Sequence, residues 1–286
     1  MIERIAILGT GLLGTSVGLA LRAAGYTGSI TGWNRTREQG QAALSMGAVD
    51  SLAPEPLEAA RASQAVLLAV PIYATLDLME QLSGLLSPDQ LVTDVGSTKA
   101  QIAAAAGRLF NRSERAAFLP GHPMAGKERG GAAIADATLF RGAVWIFTDD
   151  PSWVRSPRSA ELAKDWRELV ISMGSRTIDL DPVRHDGLVA WVSHLPQFTA
   201  TALSALLEEE VGNAPELKDV GGRALREMTR LGASPWSMWR DIALTNTEAV
   251  EKALFALEQR LAYIRENLRT PELRDEFERA NRFRRD

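Results

Sequence analysis

Apolar positions follow two alternating rhythms over the first half of the chain. Residues 4–8, "RIAIL", form a short β-branched and apolar run, and residues 12–24 then place apolar side chains at helical spacing. The alternation continues: "SITGWN" predicts a second strand, residues 36–46 a helix, "QAVLLAVP" a continuous apolar strand, residues 74–86 a helix, and "QLVTDVGS" a further strand. Strands that are apolar throughout and separated by helices specify a parallel sheet covered on both faces. Right-handed crossovers make it doubly wound, so the predicted fold class is α/β, with an N-terminal Rossmann-type sheet.

After "AVWIFTDD" the rhythm changes. "PSWVRSPRS" is punctuated by Pro and Ser, residues 174–180 supply one edge strand, and from His185 onward the pattern is that of long helices broken at 212–215, 221–222 and 234–235. The expected division is a dinucleotide-binding domain over residues 1–152 and an all-helical substrate and dimerisation domain over residues 153–286. Apolar residues spread around the stretches 191–207 and 242–264 exceed what one helical layer buries, which predicts a homodimer. The charged tail, residues 270–286, reads as a solvated terminal helix.

Composition narrows the function classes. The 286 residues are 45% hydrophobic, enough for two buried cores. The net charge of -4 arises from 32 basic and 36 acidic residues scattered along the chain, which argues against nucleic acid as a partner. There is no cysteine, so thiolate chemistry and disulfides are excluded, and with only His122, His185 and His194 as imidazoles no metal site is expected. No uncharged apolar run reaches the roughly 18 residues of a membrane span, so no membrane partner is expected. The chain opens directly into an apolar strand without the pattern of a signal peptide, and a cytoplasmic location is expected.

The turn "GTGLLG" sets Gly9, Gly11 and Gly14 in the G-x-G-x-x-G spacing, between a strand and a helix. Gly9 permits the tight turn, Gly11 lets a pyrophosphate approach the backbone, and Gly14 lets helix and strand pack closely; Leu12 and Leu13 open the helix whose N-terminus faces the phosphates. The second strand runs into "GWNRTRE", where an acidic residue would receive the ribose hydroxyls of NAD. Here Asn34 stands at that position, and Arg35, Thr36 and Arg37 offer charge and hydrogen bonds suited to a 2′-phosphate. This favours NADP, with NAD as the alternative. Both arginines are otherwise solvated residues flanking a helix start.

Four stretches carry candidate chemistry. "LPGHPMAGKERGG" holds His122 among glycines and prolines, which predicts an ordered loop presenting an imidazole. "TDVGSTK" leaves Ser97 at the carboxyl end of a strand, the edge where open α/β sheets bind ligands; the alternative is that Ser97 is an N-cap. In the helical half, "SHLPQ" brings His194 and Gln197 beside a proline, and "GGRALREMTRLGASPWSMWRDIALTN" crowds Arg223, Arg226, Arg230 and Arg240, one of them suited to a carboxylate.

Together "GTGLLGTSVGLAL", "AVP", "TDVGSTK", "GHPMAGKERGG", "SHLPQ" and "REMTRLGAS…MWRDI…TN" resemble, in order and spacing, the prephenate/arogenate dehydrogenase family in its short form, over roughly residues 4–250. The resemblance implies oxidative decarboxylation of a cyclohexadienol in tyrosine biosynthesis, with hydride passing to a nicotinamide cofactor. It implies His122 as the base bonded to the ring 4-hydroxyl and Ser97 as the residue holding hydroxyl and histidine. It further implies His194 as a second active-site histidine and Arg230 as the anchor for a substrate carboxylate. Glu128, Gln197 and Trp239 match positions near the substrate, and Glu227 a further acidic position. Leu12, Leu13, Val70, Pro71 and Ser97 match positions beside the cofactor. "SPWSMW" departs from the family's string, which leaves open whether Trp236 or Trp239 is the pocket tryptophan.

Two other readings stand beside this one. A β-hydroxyacid or imine dehydrogenase would share the glycine turn, but the β-hydroxyacid type uses K-x-x-x-N in its helical half, and Lys164, Lys218 and Lys252 lack the asparagine. A non-catalytic NADP sensor would need no His122, Ser97 and Arg230 together.

Overall fold

In the computed structural model, which describes residues 1–285, the four expected strands and two that the sequence reading did not mark, Ser51–Leu52 and Ala117–Leu119, assemble into one parallel sheet. The strands are β1 (Arg4–Leu8), β2 (Ser29–Trp33), β3 (Ser51–Leu52), β4 (Ala65–Leu68), β5 (Leu91–Asp94) and β6 (Ala117–Leu119), in the order β3-β2-β1-β4-β5-β6. The crossovers are α1 (Leu12–Ala23), α2 (Arg37–Ser45), α3 (Pro56–Arg61), α4 (Ile72–Ser83) and α5 (Ala100–Leu109). The chain reverses its direction of winding between β1 and β4, the switch point where doubly wound sheets take ligands.

The alternation of side chains along the strands divides the core. Ile5, Ile7, Leu67, Leu91 and Leu119 join one buried cluster, and Ala6, Leu8, Val66, Leu68, Val92 and Phe118 join the other. A strand buried on both faces needs apolar residues at every position, which is why these strands read as continuous runs.

A second sheet, absent from the sequence reading, is built from β7 (Gly121–Pro123), β8 (Val144–Phe147) and β9 (Arg176–Asp179), in the order β7-β8-β9. Its first strand corrects the expectation that His122 sits in a loop: His122 pairs with Ile146 across an antiparallel ladder. Pro123 is tolerated because β7 is an edge strand. Gly121 is required by space, since a Cβ there would lie 2.7 Å from Trp145 Nε1 and 2.9 Å from the Asp94 carbonyl oxygen. The edge strand expected over residues 174–180 is β9, which pairs parallel to β8.

Helix α6 (Pro157–Ser172) joins β8 to β9, and its Leu162, Ala163, Trp166 and Val170 enter the first cluster. The chain divides into two compact units, Met1–Gly187 with Ala233–Thr245, and Leu188–Gly232 with Asn246–Asp286. The first unit therefore runs past residue 152, because α6 buries its apolar stripe on the same core as the parallel sheet.

Helix α7 (Pro182–Val189) is followed by a π-helical turn, Ala190–His194, and by α8 (Leu195–Val211). Pro196 lacks an N–H and its ring crowds the carbonyl one turn back, which accounts for the widened turn. Helix α9 (Leu217–Thr229) is interrupted at Gly222, whose φ of 56° is left-handed, and a 3-10 turn follows at Arg230–Ala233. The breaks expected near 212, 221 and 234 are thus present. The helix expected over 242–264 is two, α10 (Trp236–Thr245) and α11 (Thr247–Glu266), divided at Asn246. The charged tail forms α12 (Glu272–Arg285); Asp286 lies outside the described residues. Among the described residues no helix is long and apolar enough to cross a membrane.

Candidate active site

The glycine turn has the geometry a dinucleotide requires. Gly9 has φ 107°, and a Cβ there would meet the Ala69 carbonyl oxygen at 2.3 Å and Val70 Cγ1 at 2.8 Å. Gly14 would meet the Gly9 carbonyl oxygen at 2.0 Å, so only glycine lets α1 lie this close to β1. Gly11 differs: a Cβ there meets nothing within 4 Å, and the space beside it is open for a ligand. Helix α1 starts without a side-chain cap and without an acid in its first turn, leaving its N–H groups and positive end to a phosphate. These residues fit a dinucleotide.

At the end of β2, the Asn34 side-chain oxygen accepts a 2.9 Å hydrogen bond from the Thr36 N–H, closing a tight turn before α2. Arg35, Thr36 and Arg37 are exposed, and neither arginine forms an ion pair among the described residues. Val70 packs on Gly9, and Pro71 precedes α4.

The turn from β5 to α5 is held by a buried ion pair between Asp94 and Lys99, both fully inaccessible. Lys99 Nζ also donates to the Gly121 carbonyl oxygen at 2.8 Å, and Asp94 accepts from the N–H groups of Gly96 (2.7 Å) and Gly121 (3.1 Å). Burial pushes the Lys99 ammonium below the usual lysine range, while Asp94 and Asp186 oppose that shift. The network locks β5 to β7, and so fixes the backbone from which His122 projects. Ser97 is half-buried within this turn. It is not the N-cap of α5, which is Lys99, and its hydroxyl makes no hydrogen bond among the described residues.

His122 is 8% exposed, and its Nδ1 lies 2.8 Å from His185 Nε2. His185 Nδ1 lies 2.7 Å from Asp186 Oδ1. The Asp186 carboxylate in turn accepts from the backbone N–H of Lys99 (2.7 Å) and of Ala100 (2.8 Å), at the start of α5. Sequence reading missed Asp94, Lys99, His185 and Asp186. The available signals were an acid ending an apolar strand five residues before a lysine, and an adjacent His-Asp pair. Glu128 is half-buried on the segment after β7.

Helix α10 belongs to this same unit. Trp239 packs against its second core cluster while Trp236 is 66% exposed, so the two tryptophans are clearly distinguished. Asp241 accepts from the Tyr73 N–H at the start of α4, and Thr98 and Thr245 share a 2.7 Å hydrogen bond.

The helical unit carries the remaining expected residues. His194 is buried in the π turn, where its Nδ1 accepts from Asn246 Nδ2 at 3.3 Å. Gln197 is also buried, and its amide donates to the Leu231 carbonyl oxygen at 2.7 Å. Gln197 thereby holds the 3-10 turn that begins at Arg230, an exposed residue. Arg223 pairs with Glu227 one helical turn away at 2.5 Å.

A glycine turn feeding an uncapped helix at the switch point of a doubly wound sheet defines the dinucleotide-binding class of α/β proteins. The chain belongs to the prephenate dehydrogenase family: the family's nucleotide-binding domain matches residues 17–168 and its dimerization domain residues 181–282. It is 32% identical over 247 residues to the prephenate dehydrogenase of Lactococcus lactis subsp. cremoris, across 86% of this chain and 66% of that protein's length. Its fold is similar to that of the Aquifex aeolicus prephenate dehydrogenase in complex with hydroxyphenyl propionate and NAD+, with TM-score 0.86 and 27% identity over 99% of this chain and 98% of that one. Synechocystis arogenate dehydrogenase is similar at TM-score 0.75 and 27% identity, over 98% of each chain.

Proposed function

We propose that this protein oxidatively decarboxylates prephenate or its amino counterpart arogenate, in tyrosine biosynthesis, with a nicotinamide dinucleotide as hydride acceptor. The observation that carries the reading is His122, a nearly buried imidazole on a strand locked by the Asp94–Lys99 pair. It lies in the unit that also contains the glycine turn, and family membership supports the same chemistry.

A nicotinamide held at the glycine turn would supply the acceptor for the hydride on C4 of the ring. His122 accepts the proton of the 4-hydroxyl as that hydride leaves, so the neutral imidazole is the competent form. Ser97, whose hydroxyl has no other hydrogen bond among the described residues, donates to or accepts from the same hydroxyl. Loss of carbon dioxide and aromatisation make the step effectively irreversible. Arg230 binds a substrate carboxylate; His194, Gln197, Glu128 and Trp239 complete the substrate contacts.

Gly9, Gly11, Gly14, Leu12 and Leu13 receive the pyrophosphate, with Val70, Pro71 and Ser97 beside the cofactor. NADP is preferred, through Asn34, Arg35, Thr36 and Arg37, because no acid at the end of β2 repels a 2′-phosphate. NAD is the alternative, and it is the cofactor in the Aquifex aeolicus complex. The helical unit makes a homodimer, supported by its match to the family's dimerization domain.

The test is absorbance at 340 nm after mixing purified protein with each pairing of prephenate or arogenate and NADP or NAD. A rise with at least one pairing is expected, larger with NADP. No rise with any of the four defeats the proposed activity, and equal efficiency with both cofactors defeats the NADP preference.

A further inference from the structure

We propose that His185 and Asp186 are positioning residues that set the tautomer of His122, so that Nδ1 carries the hydrogen and Nε2 is the basic nitrogen. The proposal deepens the reading above and rests on His122 being the base.

Three buried groups stand in a line. His122, His185 and Asp186 are 8%, 0% and 4% exposed, with links of 2.8 Å and 2.7 Å between them. An ionised carboxylate only accepts, so His185 Nδ1 bears the hydrogen directed at Asp186. A neutral His185 then has a lone pair on Nε2, and the 2.8 Å contact is a hydrogen bond only if His122 Nδ1 donates it. His122 Nε2 is left with the lone pair. In the opposite tautomer of His122 two lone pairs would face each other at that distance.

The competing arrangement is a doubly protonated His185 that donates to His122 Nδ1, leaving Nε2–H as a donor unable to take a proton. The surroundings of Asp186 oppose it. Its carboxylate already accepts two backbone N–H groups at the positive end of α5, and Lys99 lies nearby, so its charge is compensated without a second proton on His185. Asp94 and Lys99, which hold the Gly121 backbone at the start of β7, are paired with each other. Strand β8, on the other side of His122, contributes only apolar and aromatic residues.

During reaction one proton moves from the substrate 4-hydroxyl oxygen to His122 Nε2, and the O–H electron pair forms the new C=O bond as hydride departs. The resulting imidazolium keeps its Nδ1–H on His185 Nε2, and the Asp186 carboxylate behind it stabilises the positive charge. The logic is that of a base oriented by a second hydrogen-bonded group, here with an imidazole interposed.

The first test uses the unaltered protein without ligands: 15N-histidine NMR at neutral pH, with His122→Asn to assign the signals. A protonated Nδ1 and unprotonated Nε2 on His122 are expected; the reverse tautomer overturns the proposal. The second test compares His185→Leu, which removes the acceptor, with His185→Gln, which keeps an acceptor oxygen of similar reach. Turnover is expected to fall about 10- to 100-fold in the leucine variant and to recover in part with glutamine, while dinucleotide affinity is unchanged. Without the backing charge the imidazolium of His122 is less stable, so the acidic limb of kcat/KM moves to lower pH in His185→Leu. A purely structural role would lower activity without moving that limb. If His185→Leu retains wild-type turnover and limb while His122→Asn collapses, the relay is wrong and the base stands. If His122→Asn itself retains turnover, the reading of His122 as base fails first. Should the leucine variant not fold, the tautomer measured in the unaltered protein decides.

Discussion

The two compact units solve the burial of apolar surface in opposite ways. In the first, aromatic residues such as Phe118, Trp145 and Trp166 are almost fully buried, because a sheet apolar on both faces is enclosed by its own crossover helices. In the second, Trp191, Val192, Phe255, Leu261 and Phe277 are all exposed, and few residues beyond Val189, Ala190, Ala200, Val250 and Ala253 form its apolar core. Helices that carry more than one apolar stripe need a second surface. The second unit presents the face that the proposed dimer covers. The residues proposed for proton transfer and cofactor binding lie in the first unit, and the proposed carboxylate anchor, Arg230, lies in the other.

Substitutions sharpen this contrast, and the largest effect belongs to the first unit. His122→Asn keeps a polar side chain that does not take up the proton, and turnover is expected to fall about 100- to 10,000-fold with dinucleotide affinity near normal. Steady-state rates and a fluorescence titration check both halves of that expectation. Leu67→Ala, in the centre of the parallel sheet, removes a fully buried side chain and is expected to cost about 2–5 kcal/mol in denaturant unfolding. A loss near zero would show that this core is looser than its burial implies.

Two glycines of one turn should separate folding from binding. Gly14→Ala drives a Cβ into the Gly9 carbonyl and is expected to destabilise the unit by about 1–3 kcal/mol. Gly11→Ala meets no protein atom, so its melting temperature should match the wild type while dinucleotide affinity drops by about tenfold or more, roughly 1.4 kcal/mol. If both variants melt alike and bind alike, the open space at Gly11 does not receive the cofactor.

In the second unit the effects are expected to be smaller and of another kind. Arg230→Lys keeps the charge but loses the planar two-pronged geometry, which should raise KM for substrate about tenfold with KM for cofactor unchanged. Leu261→Ala, at an exposed position, should leave monomer stability within about 0.5 kcal/mol. Its signature is a weaker self-association in sedimentation, and an unaltered mass distribution at all concentrations would remove this residue from the dimer face.

Much of the architecture was legible along the chain. Continuous apolar runs marked β1, β4 and β5, and Gly212, Gly222 and Pro235 marked real breaks among the helices. Local signals went wrong where a distant partner decided the outcome. The glycines and prolines around His122 read as a loop, yet β8 supplies a ladder that makes the segment an edge strand. Ser97 read as a possible cap, but the cap of α5 comes from Asp186, 86 or 87 positions away. The stretch 242–264 read as one helix, though Asn246 divides it between the two units.

What the sequence determined by itself is what depends on near neighbours: the strand and helix periods, the glycine spacing that admits a phosphate, and the residue types able to carry a proton or a charge. Those follow from sterics and burial within one element, over a span of a few residues. The tertiary structure alone decided which groups meet: Asp94 with Lys99 beneath Gly121, and His122 with His185 across 63 residues of chain. A buried polar group has to find its partner wherever the fold brings one within hydrogen-bond distance, and no local pattern records which distant residue that is.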